Sequence, residues 1–440
     1  MMVGASGLLA VLEATLFAAE LGARFAAVFS ALFAALFAAV VLGQLMASVV
    51  LYNRLHALAW PRWFIKSLDV VLAVMTFALP VLSWQWWDGG QLWDGGQLWD
   101  GGQLWGGGRW WASVYAALCG GVVVSVVTRW LRRRRRPPAA ALVKCESHRF
   151  DVARELNMPL TGSRRSRWFQ RLPGNEQWQL ELSCKTLRVP ELPAALDGLT
   201  IAHLSDWHFT GHVAVEYFEY LVTVVNERRP DLVVITGDIV DRVECLEWLP
   251  STLGRLRATE GVWFLLGNHE RRLACPDEVR RRLTELGLVD WGGRCRRVTM
   301  RGVELLVAGN ELPWFGWHDP EPRLEPELGI DSELGIDLEL GPAEFRLLLA
   351  HSPDQWRWAR EHQFQLVLAG HTHGGQIVFP GIGPVIAPSL DGVEYAGGVY
   401  EVAGRVMHVS RGISGKTPVR WHCPPEVTLL TLVSDRATKW

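Results

Sequence analysis

The chain has 440 residues, 49% of them hydrophobic and 20% charged, with a formal net charge of −2 from 44 basic and 46 acidic side chains. That length is too great for one ordinary compact core, and the charge balance excludes both a disordered chain and a strongly basic nucleic-acid binder. The seven cysteines form no CxxC pair, so neither a zinc knuckle nor a dense disulfide scaffold is expected.

Residues 1–131 read as a membrane region. Positions 25–52 carry no charge and are rich in Ala, Phe, Leu and Val, long enough to cross a bilayer with some tilt. Positions 70–87 are a second uncharged run, with Pro80 as a tolerated kink, and 110–128 are a third. Positions 3–21 would add a fourth span, but Glu13 and Glu20 interrupt them, and an ionised group at mid-membrane is costly. Three or four transmembrane helices are therefore expected.

Orientation follows from the basic residues. Arg54, Arg62 and Lys66 follow the first run. Asp88, Asp94 and Asp100 follow the second, against a single Arg109. Arg132 to Arg136 follow the third. Positive loops stay in the cytoplasm, so this order predicts that everything after residue 131 is cytoplasmic. The arginine run also suits contact with anionic membrane lipid. Two short repeats, WDGGQL from Trp87, Trp93 and Trp99 and ELGID from Glu327 and Glu333, are too few to build a solenoid and read as loop expansions.

Residues 132–177 are basic, contain prolines and lack clear periodicity, as a juxtamembrane linker would. Residues 178–440 have the pattern of an α/β domain. Short apolar strands are predicted over 178–189, 199–204, 232–236, 262–266, 304–308, 345–350 and 366–369, with helices over 214–228 and 276–286. Strands alternating with helices imply a mainly parallel or mixed sheet.

Five of those strands end in potential ligands: Ser-Asp206-Trp-His208, Gly-Asp238-Ile-Val-Asp241, Gly-Asn268-His269-Glu270, Ala-His351 and Gly-His371-Thr-His373-Gly-Gly. Open α/β sheets place their sites at the carboxyl ends of strands. The donors are oxygen and nitrogen with no thiolate, which suits Mn, Fe, Zn or Mg. A carboxylate is a natural bridge between two close metals, and such pairs clamp both oxygens of a phosphoryl displacement.

The order DWH, GDIVD, GNHE, AH and GHTHGG resembles the calcineurin-like metallophosphoesterases over 200–376, and the strand pattern extends the likeness to about 433. The strings LSDWH and GHTHGGQI resemble a bacterial subgroup of membrane-associated or exported phosphodiesterases of the YkuE and YaeI type. The resemblance implies a four-layer α/β/β/α sandwich and two divalent metal ions, with Mn, Fe or Zn expected. It implies that Asp206, His208 and His373 hold the first ion, that Asp238 bridges both, and that Asn268, His351 and His371 hold the second. His269 would stand outside the metal shell, contacting the phosphate or protonating the leaving oxygen, with a bridging hydroxide as nucleophile. The expected substrate is a phosphodiester or pyrophosphate. The membrane region suggests a lipid-linked one, and membrane lipids rather than nucleic acid as partners. A phosphatase or nucleotide phosphodiesterase acting on soluble substrates is the alternative, and a membrane scaffold with a vestigial site is a third reading.

Other residues stay open at this level. His203 reads as a core histidine or one that supports a ligand. His212 reads as a loop residue near substrate, and Asp241 as one that orients a ligand. Asn310, Glu311, Trp314, Phe315 and Trp317 read as either an apolar wall for a substrate or simple packing. Arg411 suits a phosphate or a structural turn.

Overall fold

The computed structural model describes residues 4–87, 110–318 and 345–434. The WDGGQL copies beyond Trp87 and the ELGID pair lie outside the described residues. The chain divides into two compact units, one of Met1–Tyr52 with Arg62–Arg135 and the other of Asn53–Pro61 with Arg136–Trp440.

Three helices make the first unit: α1 (Gly4–Ala57), α2 (Arg62–Trp87) and α3 (Trp110–Arg134). The helix runs from Gly4 through 25–52 without a break, because apolar residues continue on both sides of Arg24. Glu20 and Arg24 pair one turn apart at 2.8 Å. No turn separates 4–21 from 25–52, so among the described residues the first two apolar stretches form one helix. Among the described residues three stretches are long and apolar enough to cross a membrane: Ala19–Ala57, Arg62–Leu82 and Ser113–Arg134. Within this unit a small residue permits close packing. A Cβ on Gly43 would lie 2.5 Å from the carbonyl oxygen of Cys119. Gln44 Nε2 donates to Tyr115 Oη at 2.7 Å, and Thr76 Oγ1 to Ser48 Oγ at 2.8 Å.

The second unit begins with β1 (Leu142–Asp151), α4 (Val152–Glu155), α5 (Arg164–Gln170), β2 (Gln179–Arg188) and β3 (Thr200–Leu204). It continues with α6 (Val215–Glu227), β4 (Leu232–Thr236), β5 (Val262–Leu265), α7 (Pro276–Glu285), β6 (Val289–Asp290), β7 (Arg294–Met300) and β8 (Val303–Asn310). Then come β9 (Phe345–Ala350), α8 (Trp356–Glu361), β10 (Leu366–Ala369), β11 (Val378–Phe379), β12 (Gly383–Pro384), β13 (Gly398–Val402), β14 (Arg405–Val409) and β15 (Glu426–Val433).

One sheet has the order β1-β2-β15-β3-β4-β5-β6 and the other β13-β14-β10-β9-β8-β7. Both are mixed. The β3-β4-β5-β6 and β8-β9-β10-β14 runs are parallel; β15 joins the first antiparallel at β3, and β7 and β13 flank the second antiparallel. Parallel strands covered on both faces read as continuous apolar runs, and Leu232–Thr236 (LVVIT) is buried throughout. Apolar side chains from both sheets, among them Ile201, Val234, Leu265, Val307, Leu347, Leu368 and Leu430, share one core. A second core lies between the first sheet and α6, whose buried Tyr217, Phe218, Leu221, Val222 and Val225 form one helical stripe. A third packs Ala359 of α8 on the other sheet. The layers are therefore helix, sheet, sheet, helix.

The stretch expected to be a linker holds β1. It escapes periodicity because it is an edge strand with most of its side chains exposed, so no apolar face marks it.

Candidate metal centre

β3, β4 and β5 lie side by side in one sheet, and β9 and β10 in the other, so their carboxyl ends converge. His351, after β9, donates Nδ1–H across to the carbonyl of Thr236 at the end of β4, at 2.7 Å. Asp206 N donates to Gly237 O at 3.0 Å and His208 N to Asp238 O at 2.9 Å, which ties the loops after β3 and β4 together. Asp206, His208, Asp238, His371 and His373 all have positive φ, between 50° and 71°. Such a backbone is costly for non-glycine residues and concentrates where the surrounding structure enforces it for function. Two glycines make the approach possible. A Cβ on Gly267 would fall 2.2 Å from Asp238 Oδ1, and one on Gly370 1.8 Å from Ser205 Oγ.

Three groups of donor atoms result: two are made of the expected ligands, and the third is His208 with Asp241 and His269. In the first two, Asp206, His208, Asp238 and His373 each place one atom within 4.8 Å of the others, and so do Asp238, His351 and His371. Asp238 belongs to both of these. His208 Nε2 and His373 Nε2 are 3.1 Å apart, as are His371 Nδ1 and His351 Nε2. Asn268 Oδ1 lies 3.1 Å from His351 Nε2. The inward atom of the Asn268 amide faces only acceptors, a setting that either an N–H or a cation satisfies. Burial pushes the Asp206 carboxyl up, and Asp238 adds to it against the pull of His351. Burial also opposes ionisation of Asp238, but His269 and His351 hold it well below the usual carboxylate range. Buried carboxylates and imidazoles with their free nitrogens facing each other fit a divalent cation of the O/N-preferring class. All seven residues expected to hold metal are thus in one place.

Supporting side chains fix the ring orientations. Asp241 Oδ2 accepts from His208 Nδ1 at 2.7 Å, and its Oδ1 accepts from His269 Nδ1. One carboxylate therefore sets the tautomer of two histidines and leaves both Nε2 atoms toward the site. Asp241→Asn keeps one acceptor oxygen and turns an NH₂ toward the other ring. Turnover is expected to drop about 10–100-fold with the fold intact, measurable as kcat beside an unchanged circular dichroism spectrum. His373 Nδ1 donates to Ser414 O at 3.2 Å. Fully buried Arg420 donates to the carbonyls of His373, at 2.9 Å, and Arg411, at 2.7 Å. His269 is pulled down to about 4 by burial despite Asp238 and Asp241, so it is neutral near pH 7. Arg272 donates to its Nε2.

His203 proves to be a core residue with a defined link to the site. Lys185 Nζ can only donate, and it lies 3.1 Å from His408 Nε2. His408 therefore carries its proton on Nδ1 and donates to His203 Nδ1 at 2.7 Å. His203 then donates Nε2–H to Thr236 Oγ1 at 3.0 Å. Glu426 accepts from Lys185 at 2.6 Å and neutralises it. Burial pulls His203 from 6.5 to about 3, and burial followed by Lys185 pulls His408 well down. Both rings are neutral when folded and free to protonate when unfolded, so the unfolded state binds more protons below about pH 6.5. Stability is then present above that pH; for His203 it is lost as pH falls toward 3, by about 1.4 kcal/mol per pH unit, and His408 acts in the same direction. The thermal midpoint of this unit in the full chain is expected to fall between pH 7 and 5, with a shallower slope in His203→Gln.

The open residues divide. Arg411 is structural: its guanidinium is held by Glu426 at 3.0 Å and Glu181 at 2.7 Å. His212 accepts or donates at Ser163 Oγ, 2.9 Å away, and is outside the three donor groups. Trp314 packs its ring 5.2 Å from His351 and 4.8 Å from His371, so it walls the centre, whereas Trp317 packs on Trp358. Phe315 lies under the Arg280 guanidinium. Glu311 positions β5 by accepting from Leu266 N and Arg280. Asn310 bonds Gln355 and Leu312 N. Sequence reasoning missed Arg272, Arg420 and the role of Glu270. Arg420 had no signal, because its partners are backbone carbonyls. The other two directly follow the GNH string.

Residues 199–375 match the calcineurin-like phosphoesterase family. The chain is 28% identical over 264 residues to the metallophosphoesterase YkuE of Bacillus subtilis, covering 59% of this chain and 87% of that protein. It is 27% identical over 237 residues to the phosphodiesterase YaeI of Escherichia coli, covering 53% and 82%. It is 24% identical over 291 residues to the UDP-2,3-diacylglucosamine pyrophosphatase LpxG of Chlamydia muridarum, covering 57% and 88%.

Proposed function

Since residues 199–375 belong to the calcineurin-like phosphoesterases, which makes the chain a metal-dependent phosphoester hydrolase, we propose that it is a membrane-anchored enzyme hydrolysing a phosphodiester or pyrophosphate bond at a two-metal centre. The observation that carries this reading is that Asp238 is shared between two groups of histidines and carboxylates. Asp206, His208 and His373 would hold one divalent ion and Asn268, His351 and His371 the other, with Asp238 common to both. Bound there, divalent ions polarise a phosphoryl oxygen and lower the pKa of water.

The chain's own residues do the rest. Asp241 holds His208 and His269 with their Nε2 atoms inward. His269 donates Nδ1–H to Asp241 and accepts from Arg272 at Nε2, so a role toward the phosphate or the leaving oxygen needs a proton on that nitrogen in place of the Arg272 contact. Arg272 brings a cation to the same side for the phosphoryl oxygens. Trp314 excludes water from the His351 and His371 side.

A lipid-linked phosphate is the substrate class that suits a chain with three helices long and apolar enough to cross a membrane, and the similarity to LpxG supports it. The loop charges support a cytoplasmic catalytic unit. The test is hydrolysis by the full chain in lipid nanodiscs of a lipid pyrophosphate, an aryl phosphodiester and an aryl phosphomonoester, each with Mn²⁺ and with chelator. Chelator-sensitive turnover that is fastest on the lipid pyrophosphate is expected. Preference for the soluble diester would favour the soluble-substrate reading, and activity that survives chelation would overturn the proposal.

A further inference from the structure

The segment that leaves the centre after His373-Gly-Gly is 377–390, IVFPGIGPVIAPSL, fourteen residues with no charge. It holds the β11–β12 hairpin. A water-facing hairpin normally alternates polar with apolar residues, yet this one turns its large apolar side chains outward. Phe379 is 41% exposed, Ile382 55%, Ile386 50% and Leu390 41%. Isolated exposed apolar residues are ordinary, but several on one uncharged segment mark a contact surface.

The segment is held in place at both sides. Val378 N donates to Trp421 O at 2.9 Å, and the Phe379 and Trp421 rings meet edge to face at 5.5 Å. Asn53, buried and in the same compact unit, donates Nδ2–H to Val385 O at 3.1 Å, and its Oδ1 accepts from Ala387 N at 3.0 Å. Both ends of one amide are spent on this segment.

Asn53 identifies what covers the apolar face. It lies near the end of Ala19–Ala57, a stretch long and apolar enough to cross a membrane. Trp60, in the same unit, is 46% exposed just beyond that end, a position that tryptophans favour at the membrane–water boundary. The hairpin and Asn53 lie in one unit, and Asn53 is in the last turns of a stretch long and apolar enough to cross a membrane, so the hairpin's anchor point falls where lipid headgroups would begin. There its aliphatic and aromatic side chains leave water for the acyl boundary, and the absence of charge removes the main cost of entry.

We propose that residues 377–390 form a bilayer-inserting hairpin that seats the metal centre on the lipid surface. It would hold His371 and His373, only a few residues upstream, at headgroup level. This inference deepens the proposed function and rests on its membrane-anchored reading, but it concerns the hairpin's environment and not the bond cleaved. The two can therefore fail separately.

The experiment uses the full chain in nanodiscs of phosphatidylethanolamine and phosphatidylglycerol. Phe379→p-benzoylphenylalanine is irradiated, and adducts are identified by mass. Val289→p-benzoylphenylalanine, at an exposed site of another edge of the unit, is the reference. Burial of one such side chain corresponds to roughly tenfold in partition, so lipid adducts at 379 are expected to exceed those at 289 by about that factor. Equal yields at the two positions, or adducts at 379 only with protein, would overturn the proposal. This readout needs no turnover and holds even if no substrate is hydrolysed. Phe379→Asp combined with Ile382→Asp supplies the functional arm. KM for a vesicle-borne lipid pyrophosphate is expected to rise about tenfold or more while kcat/KM on a soluble aryl phosphodiester stays within about twofold. Equal loss on both substrates would mean a structural role only.

Discussion

Replacing Asp238 with alanine is expected to lower turnover by at least about 10³-fold and to reduce bound metal, because one side chain serves both groups of expected ligands. The carboxylate is also structural. Its Oδ1 accepts from His269 N at 2.8 Å and lies 3.3 Å from His351 Nε2, so it joins the loops after β4, β5 and β9. The two consequences separate in Asp238→Asn. That variant keeps an oxygen for His269 N and the same volume, but it loses the charge that holds two cations together. It should fold like the wild type, bind less metal and remain inactive. Alanine should in addition lower the thermal midpoint, since a buried N–H left without a partner costs about 1–3 kcal/mol. The measurements are kcat, metal content and thermal unfolding on the same preparations.

Glu270→Gln is expected to destabilise the catalytic unit and silence it as well, although the side chain is not assigned to a metal. Glu270 is fully buried. Its Oε1 accepts from Ile239 N at 2.5 Å and Val240 N at 2.7 Å, and its Oε2 accepts from Gly267 N at 2.7 Å. Three backbone donors therefore converge on one carboxylate, two from the loop that carries Asp238 and one from the loop that carries Asn268. Glutamine satisfies the first two with its oxygen but then points an NH₂ at the N–H of Gly267, donor against donor. Turned over, it satisfies Gly267 and fails the other two. Either way at least one buried donor is orphaned, at a cost of about 1–3 kcal/mol, and the Asp238 and Asn268 loops shift relative to each other. Alanine orphans all three and should cost more. Burial first, and Asp238 next, push the Glu270 carboxyl up to about 7, so its protonation below neutral pH should weaken the same clamp. Urea unfolding of the variants, read alongside metal content, checks this.

Much of the site was legible because each strand is a short, mainly apolar run, and the ligands follow directly after it. Leu232–Thr236 followed by Gly237 and Asp238 is the clearest case: four apolar residues of a buried parallel strand precede its terminal Thr236, and the ligand comes two residues later. The sheet edges were less legible. β1 has one neighbour and mostly exposed side chains, so it carries no alternation. The role of Asp241 was half visible. Its position in GDIVD suggested a ligand-orienting residue, but that it serves His269 as well as His208 depends on two loops meeting in space. Arg411 stood open between a phosphate and a structural turn, and Arg420 carried no reading. The arginine in the glycine-rich SRGISG string is neutralised by Glu426 and Glu181, while the one in the unremarkable PVRW string braces His373 through backbone carbonyls that no sequence pattern records. In the membrane region, composition alone did not distinguish one long helix from two spans, because both are apolar runs and only a turn separates them.

The most direct test of the two-metal assignment is the metal content of the purified full chain, measured by mass spectrometry beside its hydrolysis of an aryl phosphodiester. The account predicts about two divalent ions per chain in the wild type, about one or fewer in Asp238→Ala, and turnover that rises and falls with the second ion. Full turnover by protein that holds no divalent ion, or an unchanged metal content in Asp238→Ala, would contradict it.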